Sequence, residues 1–125
     1  MGSLTCIFCH PGPDDIILEN GYAYARYDRY PVSPGHLLII PKRHIASVFE
    51  ADADEIVSLW ELVSRGKEYL DAKHSPDGYN IGINNGQPAG QTIMHLHIHL
   101  IPRYVGDMED PKGGVRGVIP GKQGY

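Results

Sequence analysis

Short runs of apolar residues fill the N-terminal third of the chain, and a helical period replaces them in the middle. Residues 16–19 and 22–27 are β-compatible runs separated by Asn20-Gly21, the dipeptide that best tolerates the positive φ angles of a tight hairpin, and they predict two antiparallel strands. Pro31, Ser33 and Pro34 make residues 28–35 a loop, and 36–40 resumes as a buried strand ended by Pro41. From Asp52 onward Ile56, Leu59, Trp60, Val63, Gly66 and Leu70 recur on one helical face, which predicts a helix over 52–73. Asp52 is placed to cap it, with Glu55 three residues on, and Ser75-Pro76-Asp77-Gly78 stops it. Tyr79, Ile81 and Ile83 alternate in a fourth strand over 79–84. Gly86, Pro88 and Gly90 mark a loop over 85–91, and 93–101 is a fifth strand ended by Pro102. The order β-β-β-α-β-β specifies an α+β fold: a mostly antiparallel five-stranded sheet with one main helix and short helical segments.

Length and composition narrow this further. A chain of 125 residues has room for one hydrophobic core, so 1–125 is expected as a single domain. Its core spans about 6–104, and the Gly- and Pro-rich tail over 105–125 shows no apolar period. With 42% hydrophobic and 21% charged residues the chain has neither a disordered nor a coiled-coil composition. A net charge of −4 lacks the basic field of a nucleic-acid binder, so no specific nucleic-acid binding is expected. No apolar run approaches the roughly 20 residues of a membrane span, so no membrane association is expected. Met1 to Cys9 has no basic start followed by an apolar stretch, so no secretory signal is expected. Two cysteines, in the spacing Cys6-Ile7-Phe8-Cys9, make no disulfide scaffold, and a reducing, cytoplasmic compartment is expected.

Seven histidines are many for this length, and three fall within five residues. In a strand His95, His97 and His99 would share one face and Leu96, Ile98 and Leu100 the other, giving one face to chemistry and one to the core. A set of surface histidines on a half-exposed strand is the plain alternative. At about 3.4 Å per residue His95 and His99 stand about 13.6 Å apart, too far to share one metal ion. The three imidazoles must therefore divide into different jobs. Gly90-Gln91-Thr92, entering the strand, offers backbone N–H groups and a hydroxyl, the equipment of a phosphate nest.

The run Gly90-Gln91-Thr92-Ile93-Met94-His95-Leu96-His97-Ile98-His99-Leu100-Ile101 resembles the histidine triad (HIT) superfamily motif, His-φ-His-φ-His-φ-φ with φ apolar. Asp28, Pro34-Gly35-His36-Leu37-Leu38-Ile39-Ile40-Pro41-Lys42 and Asn84 extend the resemblance upstream. It implies a HIT-like fold, usually a homodimer, that binds a purine nucleotide and cleaves a bond at its α-phosphorus through a nucleotidyl-histidine. By that resemblance His97 looks like the nucleophile, and His99 and His36 like its catalytic partners. Asn84, Gly90, Gln91 and Thr92 look like phosphate contacts, and Asp28 like the acceptor for ribose hydroxyls. In HIT proteins with an N-terminal cysteine pair, Cys6 and Cys9 are joined by His44 and His95 in a closed, structural zinc site, one per chain. No catalytic metal and no organic cofactor are expected.

Other readings stay open. Asp28 can serve as a turn residue beside Pro31, and the two cysteines can be an unligated reduced pair. Nucleoside phosphoramidates and dinucleoside polyphosphates are both candidate substrates. A zinc-stabilised nucleotide-binding adaptor with little turnover is the alternative function. The tail, with Lys112 and Arg116, could fold back to meet an acidic leaving group, lie in solvent, or form a dimer contact.

Overall fold

The computed structural model describes residues 4–125; residues 1–3, where the stretch read for a secretory signal begins, lie outside the described residues. Its strands are β1 (Leu18–Glu19), β2 (Ala23–Tyr27), β3 (Leu37–Pro41), β4 (Gly78–Gly82) and β5 (Ile98–Arg103), and its one long helix is α1 (Ala53–His74). They form a single antiparallel sheet in the order β1-β2-β3-β5-β4, the α+β architecture expected. Short 3-10 turns cover Pro13–Asp15, Val48–Glu50, Gln87–Ala89 and Gly114–Val118. Among the described residues no helix is long and apolar enough to cross a membrane.

The β1–β2 turn forms where Asn20-Gly21 predicts it, by a different device. Neither residue takes a positive φ. Instead the Asn20 side-chain oxygen accepts from the backbone N–H groups of Tyr22 (3.1 Å) and Ala23 (2.9 Å), the first-corner role that asparagine plays in an ordinary turn. The Asn20 amide also donates to Ser58 O and to Glu61, tying the hairpin to the helix.

Helix α1 starts as its sequence dictates. Asp52 accepts from the Glu55 N–H at 3.0 Å, and Glu55 accepts in return from the Asp52 N–H at 3.0 Å. Ser75 closes the helix in the left-handed region, one residue before Pro76. The buried face is Glu55, Leu59, Leu62, Val63, Gly66 and Leu70. Leu62 therefore takes the place expected for Trp60, which is 47% exposed, and Ile56 is half-buried. Gly66 lets the helix approach the sheet, since a Cβ there would stand 3.0 Å from Leu100 Cδ2. Against α1 the sheet presents Ala23, Ala25, Leu37, Ile39, Ile98 and Leu100 as the main core.

The last two strands differ from expectation at their ends. β4 stops at Gly82 rather than 84 because its last partner is His99, one residue inside the start of β5. β5 starts at Ile98 rather than 93. Upstream of it the Leu96 N–H bonds to Ile45 O at 2.7 Å, in the loop beyond β3, so His95 and His97 lie on the approach to the strand. Pro102 sits inside β5 instead of ending it. Its carbonyl accepts from Ser33 Oγ at 2.7 Å, so the edge without an N–H faces the loop before β3 and costs no bond to β4.

Candidate active site and metal centre

The sheet face away from α1 carries Tyr24, Arg26 and Asp28 from β2 and its end, His36, Leu38 and Ile40 at β3, and His97 and His99 at β5. A second small core of Phe8, Tyr24, Leu38 and Ile40 covers part of it. On this face His95 is fully buried and His97 is 9% exposed.

At one end of the row the Pro41 carbonyl accepts a hydrogen bond from His95 Nε2 at 2.7 Å. With the proton on Nε2, the lone pair of Nδ1 points toward the N-terminal loop. That Nδ1 lies 3.5 Å from Cys6 Sγ, 3.5 Å from Cys9 Sγ and 3.1 Å from His44 Nδ1, and His44 Nδ1 lies 3.1 Å from Cys9 Sγ. All four ligand atoms fall within 4.8 Å of one another. A tetrahedral zinc ion would hold sulfur and nitrogen about 3.5 Å apart and two nitrogens about 3.3 Å apart. Spacing and donor chemistry both fit, and this cluster could hold a metal ion. Burial lowers the His95 pKa, with the neighbouring His44 and His97 adding to the effect, so the ring stays neutral as a ligand must.

Asp28, His36 and His99 also converge. Here the chemistry differs. The Val32 N–H donates to His36 Nδ1 at 3.2 Å, so neutral His36 carries its hydrogen on Nε2, which lies 2.9 Å from His99 Nδ1. A ligating nitrogen needs a free lone pair, and His36 Nε2 has none in this arrangement. The cluster is a hydrogen-bond chain, with Asp28 Oδ2 at 3.5 Å from His36 Nε2 and 4.0 Å from His99 Nδ1. It ends on His99 Nε2, which is buried and has no partner among the described residues. Burial lowers the pKa of His36 against the pull of Asp28, and burial with His97 and His36 nearby takes that of His99 down to about 4. Both rings are therefore neutral donors at neutral pH.

His97 lies between the two clusters. Its Nδ1 is 2.8 Å from the His95 carbonyl, so Nδ1 holds the hydrogen and Nε2 keeps a lone pair.

Asp28, His36, His99 and Asn84 line one cavity of about 500 Å³, together with Asn80 and Arg103. The tail folds back to form its far wall through Met108, Val115 and Val118. Arg103 anchors that wall, donating to both Asp107 carboxylate oxygens and to Asn80 Oδ1 at 2.7 Å each. Lys112 and Arg116 do not line the cavity, and the Arg116 guanidinium lies 4.7 Å from the Tyr125 ring centroid. Gly90, Gln91 and Thr92 line a separate depression with Gln87 and Met94.

That loop is braced internally. Gly90 turns it at φ +97°, a conformation that favours glycine, while its N–H donates to Gln87 O at 2.9 Å. The Gln91 side chain accepts from Gly86 N–H and donates to Ala46 O and Ile93 O. Both residues shape the loop with groups the sequence reading had assigned to a ligand. Phe8, Asn80 and Arg103 were missed. For Phe8 the only signal was its place between the two cysteines.

Fold and site together define a class of small histidine-row protein, and the chain belongs to the HIT domain family, whose model matches residues 11–106. Cys6 and Cys9 precede the matched span. An uncharacterized HIT-like protein of Methanocaldococcus jannaschii is 40% identical over 113 residues, 87% of each chain. A bis(5'-adenosyl)-triphosphatase of Dictyostelium discoideum is 34% identical over 96 residues, 77% of this chain and 64% of that protein. The crystal structure of a zinc-bound histidine triad family protein from Mycobacterium smegmatis superposes with a TM-score of 0.75 at 31% identity, covering 89% of this chain and 86% of that one.

Proposed function

We propose that the chain hydrolyses or transfers the nucleotidyl group of purine-nucleotide substrates, nucleoside phosphoramidates or dinucleoside polyphosphates, through an intermediate on His97. The carrying observation is the hydrogen bond from His97 Nδ1 to the His95 carbonyl, which leaves Nε2 unprotonated for attack. In the first step Nε2 forms a bond to the α-phosphorus. The bond from phosphorus to the leaving group breaks, and the leaving group takes the electron pair and a proton from solvent. In the second step a water oxygen attacks the same phosphorus, the P–N bond breaks back to Nε2, and water loses a proton. His99 Nε2–H, the unpartnered end of the His36 chain, is the donor to a phosphate oxygen, and Asn84 and Thr92 supply further contacts. Asp28 accepts from ribose hydroxyls at the cavity wall.

Among the two substrate classes the apolar tail wall favours leaving groups without a large negative charge. The one lining guanidinium, Arg103, is already engaged by Asp107. We read Cys6, Cys9, His44 and His95 as ligands of a structural zinc ion that fastens the N-terminal loop to the end of β3, remote from the bond that breaks. The homodimer implied by the family has a candidate surface at the open edge of β4. Ile81 of that strand is 39% exposed.

Rapid quenching of enzyme mixed with radiolabelled adenosine 5'-phosphoramidate or diadenosine polyphosphate should trap label on the chain, at His97 by peptide mapping. His97→Asn should bind AMP with no turnover. Turnover retained by that variant would overturn the reading.

A further inference from the structure

Phe8 is 3% exposed, within the range of the core residues, although it lies in a short loop near the N-terminus. Its ring meets the rings of two histidines edge-on: His97 at a centroid distance of 5.1 Å and an angle of 66°, and His95 at 6.0 Å and 89°. Its own position is fixed from several sides. The Phe8 carbonyl accepts from Tyr24 OH at 2.6 Å, and the buried Arg26 guanidinium stands 5.8 Å from its ring centroid. On either side in sequence stand Cys6 and Cys9, whose sulfurs belong to the metal-ligand cluster.

We propose that Phe8 is a positioning residue for His97, and that the Cys6/Cys9 metal site holds it in place, so that metal centre and nucleophile form one packing unit. This rests on the reading of His97 as the nucleophile. Among the described residues His97 has one directional side-chain restraint, the bond from Nδ1 to the His95 carbonyl. That bond orients the ring only while the ring cannot turn over, which would put Cδ2 in the place of Nδ1, break the bond that keeps the hydrogen on Nδ1 and let it move to Nε2. Phe8 packs against one side of the ring, and His99, with its centroid at 5.1 Å, against another. His99 is fixed independently through His36, whereas Phe8 is held by a loop whose ends are the two cysteines. The carbonyl that orients His97 also belongs to a metal-ligand residue, His95. The metal site therefore has two grips on the nucleophile, one through backbone and one through an aromatic ring, without touching the reacting atoms.

Imidazole 15N NMR of the zinc-loaded chain, with histidine labelled, reads which His97 nitrogen carries hydrogen. The native protein should show one Nδ1–H species. Phe8→Ala should mix the two tautomers and lower kcat about tenfold, with KM changing less than about threefold, since orientation is lost and binding is not. Phe8→Leu, which keeps much of the apolar volume, should recover the fold and only part of the tautomer bias. Chelating zinc from the native chain should move the His97 signals the same way, and chelating it from Phe8→Ala should add little further change. A single unchanged Nδ1–H signal in Phe8→Leu and in the chelated native chain would overturn the proposal, whether or not Phe8→Ala folds. If the native chain shows no nucleotidyl cleavage, the function fails, and the NMR result still decides the packing claim.

Discussion

His36 Nε2 lies 2.9 Å from His99 Nδ1, and the Val32 N–H on the far side of His36 sets the direction of that bond. Both rings are thereby committed to the neutral state, and the burial that takes the His99 pKa down to about 4 acts the same way. The consequence for stability has a definite sign. The unfolded chain, with an ordinary histidine pKa near 6.5, binds the proton more readily than the fold. Stability from this group is complete above about pH 6.5 and is lost as pH falls toward 4, by roughly 3 kcal/mol in all. Urea unfolding from pH 7.5 to 4.5, with chelator present throughout, should show this acid limb, and His99→Asn should flatten it. An equal acid limb in that variant would mean that other groups carry it.

The histidine row was legible because period two needs only local sequence, and the helix start because Asp52 and Glu55 bond to each other. What local sequence does not carry is which neighbour a side chain meets. Leu59, Leu62 and Val63 spread over an arc of α1 as narrow as that of Leu59, Trp60 and Val63, and only the position of the sheet decides that Leu62 goes in. His95 and His97 fall outside regular β5 because their surroundings are the Pro41 carbonyl and the Ile45 loop, contacts remote in sequence. The bracing of Gly90 and Gln91 was hidden for the same reason. A Gly-rich loop announces spare N–H groups, and the loop's own carbonyls take those of Gly90 and Gln91.

Leu96 and His97 are adjacent and point opposite ways, which gives a test of facing. Leu96 is 1% exposed and belongs to the core beneath α1. Leu96→Ala should cost about 2–5 kcal/mol in denaturant unfolding. His97→Asn loses two ring contacts, with Phe8 and His99, and one hydrogen bond and should cost about 1 kcal/mol. Similar losses for the two would contradict the facing of this segment.

Removing the sulfur ligands should unfasten the N-terminal loop. The double variant Cys6→Ser, Cys9→Ser should fall from about one metal ion per chain to near zero, by elemental analysis of the purified protein. Its melting temperature should drop by several degrees, and chelator should then have no further effect. Metal retained at the native level in the double variant would place the ion elsewhere.

The clasp between Arg103 and Asp107 gives the tail its position and gives a handle on substrate size. Arg103 holds the Asp107 carboxyl down to about 2, so the pair stays charged throughout the working pH range. Both side chains are about one quarter exposed, and such a screened ion pair contributes little to global stability. Its effect is local, because Met108, Val115 and Val118 follow the clasp and line the cavity. Asp107→Asn should therefore leave the melting temperature nearly unchanged while the wall loosens. For substrates whose leaving group is bulky enough to reach that wall, KM should rise several-fold, and for the unsubstituted phosphoramidate both kcat and KM should stay near native values. Steady-state kinetics on the two substrates separate the outcomes: equal changes for both would mean that the clasp acts on the histidine cluster, and no change for either would mean that the tail does not meet the leaving group.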